Sequence, residues 1–158
     1  MTESEWRYAG DCEYMLRFLG REASPRKLRL FVVACCRRAW HLLSADWRSA
    51  VELAERCAEG LVDQQDLEAV RVPLPLVGQS NDSYTKRLAC EMAVQALSAS
   101  PFDAALATSG LMRQTVPLDG NPYNRRDGAC VFLRDIFHPY RPFSIDAQVL
   151  RWNGACVM

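Results

Sequence analysis

The sequence predicts an all-α fold, and three observations carry that prediction. Apolar residues recur at steps of three and four through most of the chain, the spacing that gathers them on one helix face. Helix-start and helix-stop residues punctuate those stretches: Asp11, Ser24-Pro25, Ser83 and Ser100-Pro101 open them, and Gly20 and Gly60 close them. No alternating polar and apolar run long enough for a convincing strand occurs. The expected architecture is a compact bundle of about six or seven helices with two long proline-containing loops. It forms a single helical domain over residues 1–158, a length that buries roughly 68–70% of the unfolded surface without a disulfide or metal.

Each element has its own local reason. Thr2 and Glu5 have capping-box spacing, Asp11 can cap Cys12 to Leu19, and Gly20 supplies the stop. Ser24-Pro25 then opens the clearest helix of the chain, because proline at the first helical position loses no hydrogen bond. Leu28, Phe31, Val32, Cys35, Cys36, Ala39, Leu42 and Leu43 make its apolar stripe, while Arg26, Lys27, Arg29, Arg37 and Arg38 fall largely outside it. The spacing predicts one helix over 25–43 with a buried face and a basic face. After a break at 44–46, Trp47 to Glu59 is again amphipathic, with Gly60 as C-cap, and Asp63 caps a short helix from Gln64 to Val70.

Residues 72–82 contain Pro73 and Pro75, no helical period and a polar end, and are expected to be a loop. Ser83 opens a helix carrying Leu88, Ala89, Met92, Ala93, Ala96 and Leu97, and Ser100-Pro101 precedes Phe102 to Met112. Residues 115–128, with Pro117, Gly120, Pro122 and Gly128, make the second long loop. A helix from Ala129 to Phe137 ends at His138-Pro139-Tyr140-Arg141-Pro142-Phe143, where two prolines stop it. A last turn spans Asp146 to Trp152.

Nineteen Lys and Arg balance nineteen Asp and Glu. Neutrality argues against a surface wholly given to nucleic acid or an anionic membrane. The balance is nevertheless uneven along the chain: residues 17–38 hold seven basic side chains and one acidic, and residues 46–68 hold seven acidic and two basic. A short connection favours antiparallel packing, so these two segments are expected to face each other. The longest apolar run, Leu30 to Cys36, is far shorter than the roughly 20 residues of a membrane span.

The N-terminus has neither the basic start nor the apolar stretch of a signal peptide, and a cytoplasmic protein is expected. The seven cysteines (12, 35, 36, 57, 90, 130 and 156) then read as reduced and mostly buried. Cys156 stands one position too late for a prenylation box.

The stretch Leu28-Arg29-Leu30-Phe31-Val32-Val33-Ala34-Cys35-Cys36-Arg37-Arg38-Ala39-Trp40-His41-Leu42-Leu43 resembles the helix shared by an uncharacterised bacterial, planctomycete-type family of small helical proteins. Ala50 to Arg56, Leu133 to Phe137, Arg141-Pro142 and Trp152-Asn153-Gly154 resemble the same family in the same order. The resemblance implies a small helical domain and assigns no activity and no catalytic residue. Relatives have an alanine-rich middle where this chain has two proline-containing loops, a Gly-Asn pair where it has His138, and further helices where it ends. The shorter chain is therefore expected to expose, or to refill, a surface near its C-terminal segment.

Candidate chemistry is sparse. Cys35, Cys36 and His41 do not share a helix ridge in the sense a metal pair needs, there is no Cys-x-x-Cys, and neither metal site nor cofactor is expected. Cys130, near a helix start, and His138 are the candidate nucleophile and base of a cysteine hydrolase or transferase, weighed against a packing thiol and an exposed histidine. Arg26, Lys27, Arg37 and Arg38 on the basic helix, and Arg125-Arg126 in the second loop, are the candidate phosphate contacts of a nucleic-acid-binding alternative. The favoured expectation is a non-enzymatic interaction or accessory subunit. It would bind another protein, or a second copy of itself, through Phe137, Tyr140, Phe143 and Trp152, with Arg141 and Arg151 on the rim.

Overall fold

A computed structural model describes residues 1–71, 83–114 and 128–139. They form eight α-helices: α1 (Glu3–Tyr8), α2 (Cys12–Leu19), α3 (Pro25–Arg38), α4 (Ala45–Ala58), α5 (Gln64–Arg71), α6 (Tyr84–Ala96), α7 (Pro101–Gln114) and α8 (Gly128–Ile136). A single 3-10 turn, Trp40–Leu42, joins α3 to α4, and no strand occurs among the described residues.

The α3 helix is the axis of the bundle because its apolar face is the widest. Leu28, Phe31, Val32, Val33, Cys35 and Cys36 are all buried, and α4, α6, α7 and α8 pack around them. A second layer of contacts sets α2 against α7 and α8, α6 against α7, and α4 against α5 and α6. One continuous core therefore runs from Trp6 in α1 to Phe137 just beyond α8. The caps form as the sequence requires. Asp11 Oδ1 accepts from the amides of Glu13 (2.9 Å) and Tyr14 (3.2 Å), and Thr2 with Glu5 closes a capping box. Gly20 (φ 70°) and Gly60 (φ 73°) take the left-handed backbone that L side chains disfavour.

Several boundaries differ from the sequence expectation. The helix over 25–43 is interrupted: the backbone leaves α geometry at Ala39 (φ −94°, ψ 15°) and tightens into the 3-10 turn. Arg48 Nε donates to the Trp40 carbonyl at 3.1 Å, giving that oxygen a partner outside the α ladder. Leu43 remains buried, so the stripe continues through a change of helix type. The α4 helix starts at Ala45, inside the expected break. Gly128, assigned to a loop by its surroundings, is the first residue of α8. The expected loop at 72–82, the rest of the loop at 115–128 and the turn Asp146 to Trp152 lie outside the described residues.

The oppositely charged segments meet. Arg26 Nη2 bonds Glu59 at 2.9 Å and Arg37 Nη2 bonds Glu55 at 2.5 Å, both across the α3 and α4 contact. Both pairs are solvent-exposed, so each contributes only about 0.2–1 kcal/mol. Burial of the apolar faces holds the two helices together, and the charges set their register.

Candidate functional site

Three places bring chemically capable side chains together: a pair of thiols in the core, the basic face of α3, and a cleft where α1 meets the end of α8.

Cys130 sits in the first turn of α8 and Cys12 in the first turn of α2, two helices that pack against each other, and both are buried. Hydrogen bonding with the Cys130 thiol and burial push the Cys12 thiol well above the ordinary cysteine range. Burial does the same to Cys35, and it pushes Cys36 up to about 12. A thiol held un-ionised at neutral pH is a poor nucleophile. No disulfide joins any two of the six described cysteines.

His138 is exposed beyond the end of α8 and lines a cleft of about 250 Å³ with Glu3, Trp6, Arg7, Arg134, Asp135 and Pro139. Cys130 is not part of that lining, so the cleft does not unite the two residues proposed as nucleophile and base. Among the described residues no group of three or more His, Cys, Asp or Glu is placed to hold a metal.

The cations of α3 are mostly engaged within the fold. Beyond the Arg26 and Arg37 ion pairs, the Arg37 guanidinium stacks 4.4 Å from the Trp40 ring centroid, and Lys27 Nζ lies 5.6 Å over the ring of Phe137. The Arg38 guanidinium lies against Gly128, where an added Cβ would stand 2.7 Å from Nη1. Arg29, counted with the basic face in the sequence, is instead 8% exposed; its guanidinium donates to the Ala96 carbonyl (3.0 Å) and to Gln64 Oε1 (2.9 Å). Arg125 and Arg126 lie outside the described residues.

Arg134 lines the cleft and ties its two sides together. Its guanidinium, projecting from α8, donates to the backbone carbonyls of Trp6 (3.3 Å) and Ala9, which fixes α1 against α8. Trp6 is buried and meets the Phe18 ring of α2 with centroids 6.2 Å apart. On the same two helices Tyr8 is 77% exposed, Tyr14 54% and Phe18 39%. Tyr14 and Phe18 stand one helical turn apart on α2 and so share a face.

No protein-family model, curated protein or solved structure matches this chain. Its site must be argued from its own geometry.

Phe137 requires a correction. The sequence placed it among the exposed anchors, but it is only 5% exposed, because its amide bonds back to the Leu133 carbonyl (2.8 Å) and carries the ring inward as part of the last turn of α8. It can support an interface from beneath and cannot enter a partner's pocket. Tyr140, Arg141, Phe143, Arg151 and Trp152 lie outside the described residues. The sequence did carry a signal for the aromatic face that was missed: Tyr14 and Phe18, one turn apart, fall outside the stripe of Cys12, Met15 and Leu16, which are the buried positions of α2.

Proposed function

We propose that the protein is a non-enzymatic accessory subunit of the cytoplasm that binds another protein at the end of the bundle where α1 and α2 meet α8. The observation that carries this reading is the set of exposed aromatic side chains on α1 and α2, Tyr8, Tyr14 and Phe18, of which Phe18 meets the Trp6 ring that lines the cleft. Exposed aromatics next to a concave, partly apolar site are the usual anchors of protein recognition. The cleft also sets the chemistry of the partner. Glu3 is paired with Arg7 at 3.2 Å, whereas Asp135 has no partner among the described residues. A partner segment presenting an apolar side chain to Trp6 and Phe18 and a cation to Asp135 satisfies both.

The chain passes from Pro139, in the cleft wall, into Tyr140 and Arg141, and the same proposal assigns Tyr140, Arg141, Phe143, Arg151 and Trp152 to the interface. Nucleic-acid binding through α3 is less favoured because Arg26 and Arg37 are already paired with carboxylates. No helix among the described residues is long and apolar enough to cross a membrane.

Site-directed photocrosslinking in the native host tests the reading. A photoreactive residue at Tyr14 is expected to give one discrete adduct, and the same residue at Leu61, exposed on the turn after α4, is expected to give none. With the partner in hand, Tyr14→Ala and Phe18→Ala should each weaken binding roughly tenfold or more, the cost of about 1.4 kcal/mol or above for an anchoring aromatic. No adduct at Tyr14, or equal adducts at Tyr14 and Leu61, would refute the proposal. An adduct of twice the chain's own mass would replace the partner with a second copy.

A further inference from the structure

We propose that the groove between α6 and α7 is a homodimer interface, in which α6 of a second copy lies antiparallel along it. The groove is about 440 Å³ and is lined from α6 by Glu91, Val94 and Gln95 and from α7 by Ala107, Gly110 and Leu111. The two helices form an antiparallel hairpin: a short connection joins them, they pack side by side, and at the far end the Tyr84 hydroxyl donates to Gln114 Oε1 at 2.8 Å. Gly110, one turn before Gln114, is thereby level with Arg87, one turn after Tyr84. A Cβ added at Gly110 would meet nothing within 4 Å, so the α7 wall leaves room there for a second helix to approach closely.

The exposed seam of α6 identifies the occupant. Tyr84, Arg87, Glu91 and Val94 recur at steps of three, four and three, the spacing by which one helix meets another along its length. The seam is charged at its centre and apolar at its ends. Arg87 and Glu91 stand one turn apart, yet neither forms an ion pair with the other or with any other described residue. The cation-first order is the weaker one for pairing within a helix. A two-fold axis midway between the two residues satisfies both. Arg87 of each copy then faces Glu91 of the other, and one turn outward Tyr84, 56% exposed, covers the half-buried Val94. An isologous contact requires this kind of self-complementarity. An unrelated helix would have to carry the opposite order of charges at the same spacing, whereas a second copy supplies it by symmetry. The same axis sets each α6 beside the open position at Gly110 of the other copy.

The size of the contact makes the dimer weak. The 13 residues of α6 span about 20 Å, and one such seam with its neighbouring groove falls below the roughly 1,200 Å² of a standard stable interface. The charged centre fixes the register more than it adds affinity, because solvent-exposed ion pairs contribute little. The groove shares no lining residue with the cleft at Trp6, so self-association here and the binding of another protein there are independent.

Sedimentation equilibrium of the reduced, full-length protein from about 5 µM to about 1 mM tests the assignment, a range suited to a weak contact. A reversible monomer–dimer equilibrium is expected. Arg87→Glu and Glu91→Arg each bring like charges face to face twice across the axis and should weaken the dimer about tenfold or more, and the double reversal should return it to within about threefold of wild type. Gly110→Trp, whose Cβ meets nothing in its own chain, should weaken it comparably by filling the space the second helix needs. Circular dichroism and thermal unfolding at low concentration check that each variant folds, and the charge series decides the matter even if Gly110→Trp does not. Monomer throughout the range, a dimer indifferent to both single reversals, or a double reversal no better than the single ones would each overturn the proposal. A dimer lost in Tyr14→Ala would also overturn it, by moving self-association to α2.

Discussion

Replacing Arg29 with methionine sets two large effects against each other, and the structure indicates which prevails. The guanidinium is buried with no carboxylate beside it among the described residues, and burial lowers its pKa. Removing such a charge relieves a desolvation cost, which is why buried ions can often be exchanged for apolar side chains without loss. Against this stand two charge-assisted hydrogen bonds, to the Ala96 carbonyl and to Gln64 Oε1. Ala96 is the last residue of α6, so its carbonyl is among those with no partner inside the helix, and a cation there also meets the negative end of the helix dipole. Gln64 in turn donates to the Leu97 carbonyl at 3.3 Å, so the same fork ties the start of α5 to the end of α6. Leaving two acceptors short of a donor costs about 1–1.5 kcal/mol each, whereas methionine keeps the packing of the stem. We expect Arg29→Met to lose about 2–3 kcal/mol, a fall of roughly 4–12 °C in unfolding temperature. Chemical denaturation should give the same loss with an unchanged m-value, and amide exchange should accelerate first in α5. A variant as stable as the parent, or more so, would show that desolvation outweighs the fork and would refute the reasoning.

The buried thiols predict a loss of stability in alkali. Cys12 and Cys35 are held above the ordinary range and Cys36 is pushed up to about 12, while the unfolded chain ionises these groups near pH 8.5. Above that pH the unfolded state binds fewer protons than the folded one, so stability is complete below about pH 8.5 and then falls by up to about 1.4 kcal/mol per pH unit for each thiol. Thermal unfolding in reductant should fall steeply between pH 8.5 and 10.5, less steeply in Cys36→Ala, and a flat profile would contradict the burial argument. Thr108 Oγ1 is the buried side-chain oxygen without a hydrogen-bond partner among the described residues. Thr108→Val, which keeps the shape and removes the orphaned hydroxyl, should therefore raise stability by about 1 kcal/mol in urea titration, and a loss of similar size would mean that the hydroxyl has a partner.

What could be read in the sequence was local or periodic. Ser24-Pro25 and Asp11 specify their own helix starts, and the stripe from Leu28 to Cys36 specifies which face of α3 is buried. The partnership of α3 and α4 was also legible, because a run of like charge followed closely by a run of opposite charge limits how the two helices can pack. Arg29 shows where this kind of reading stops. Its position among Arg26, Lys27 and Arg37 placed it on the basic face, but its burial depends on α5 and α6, which arrive more than thirty residues later. The change from α to 3-10 geometry at Ala39 was hidden for a similar reason: Arg48, from the next helix, supplies the partner of the Trp40 carbonyl.

The same distinction governs the cysteines. Composition marked them as buried and reduced, which identifies an environment without identifying neighbours. Cys12 and Cys130 stand on α2 and α8, far apart in the chain, and only the docking of those helices brings them into one core, with Arg113 of α7 bonding Asp11 and Glu13 at the start of α2. Helix packing of this kind also determined the fate of the expected interface. Phe137, just beyond α8, is drawn into the core, and among the described residues exposed aromatic side chains stand on α1, α2 and α6. Arg134 ties α1 to the end of α8, so these two elements, distant in the chain, form one junction.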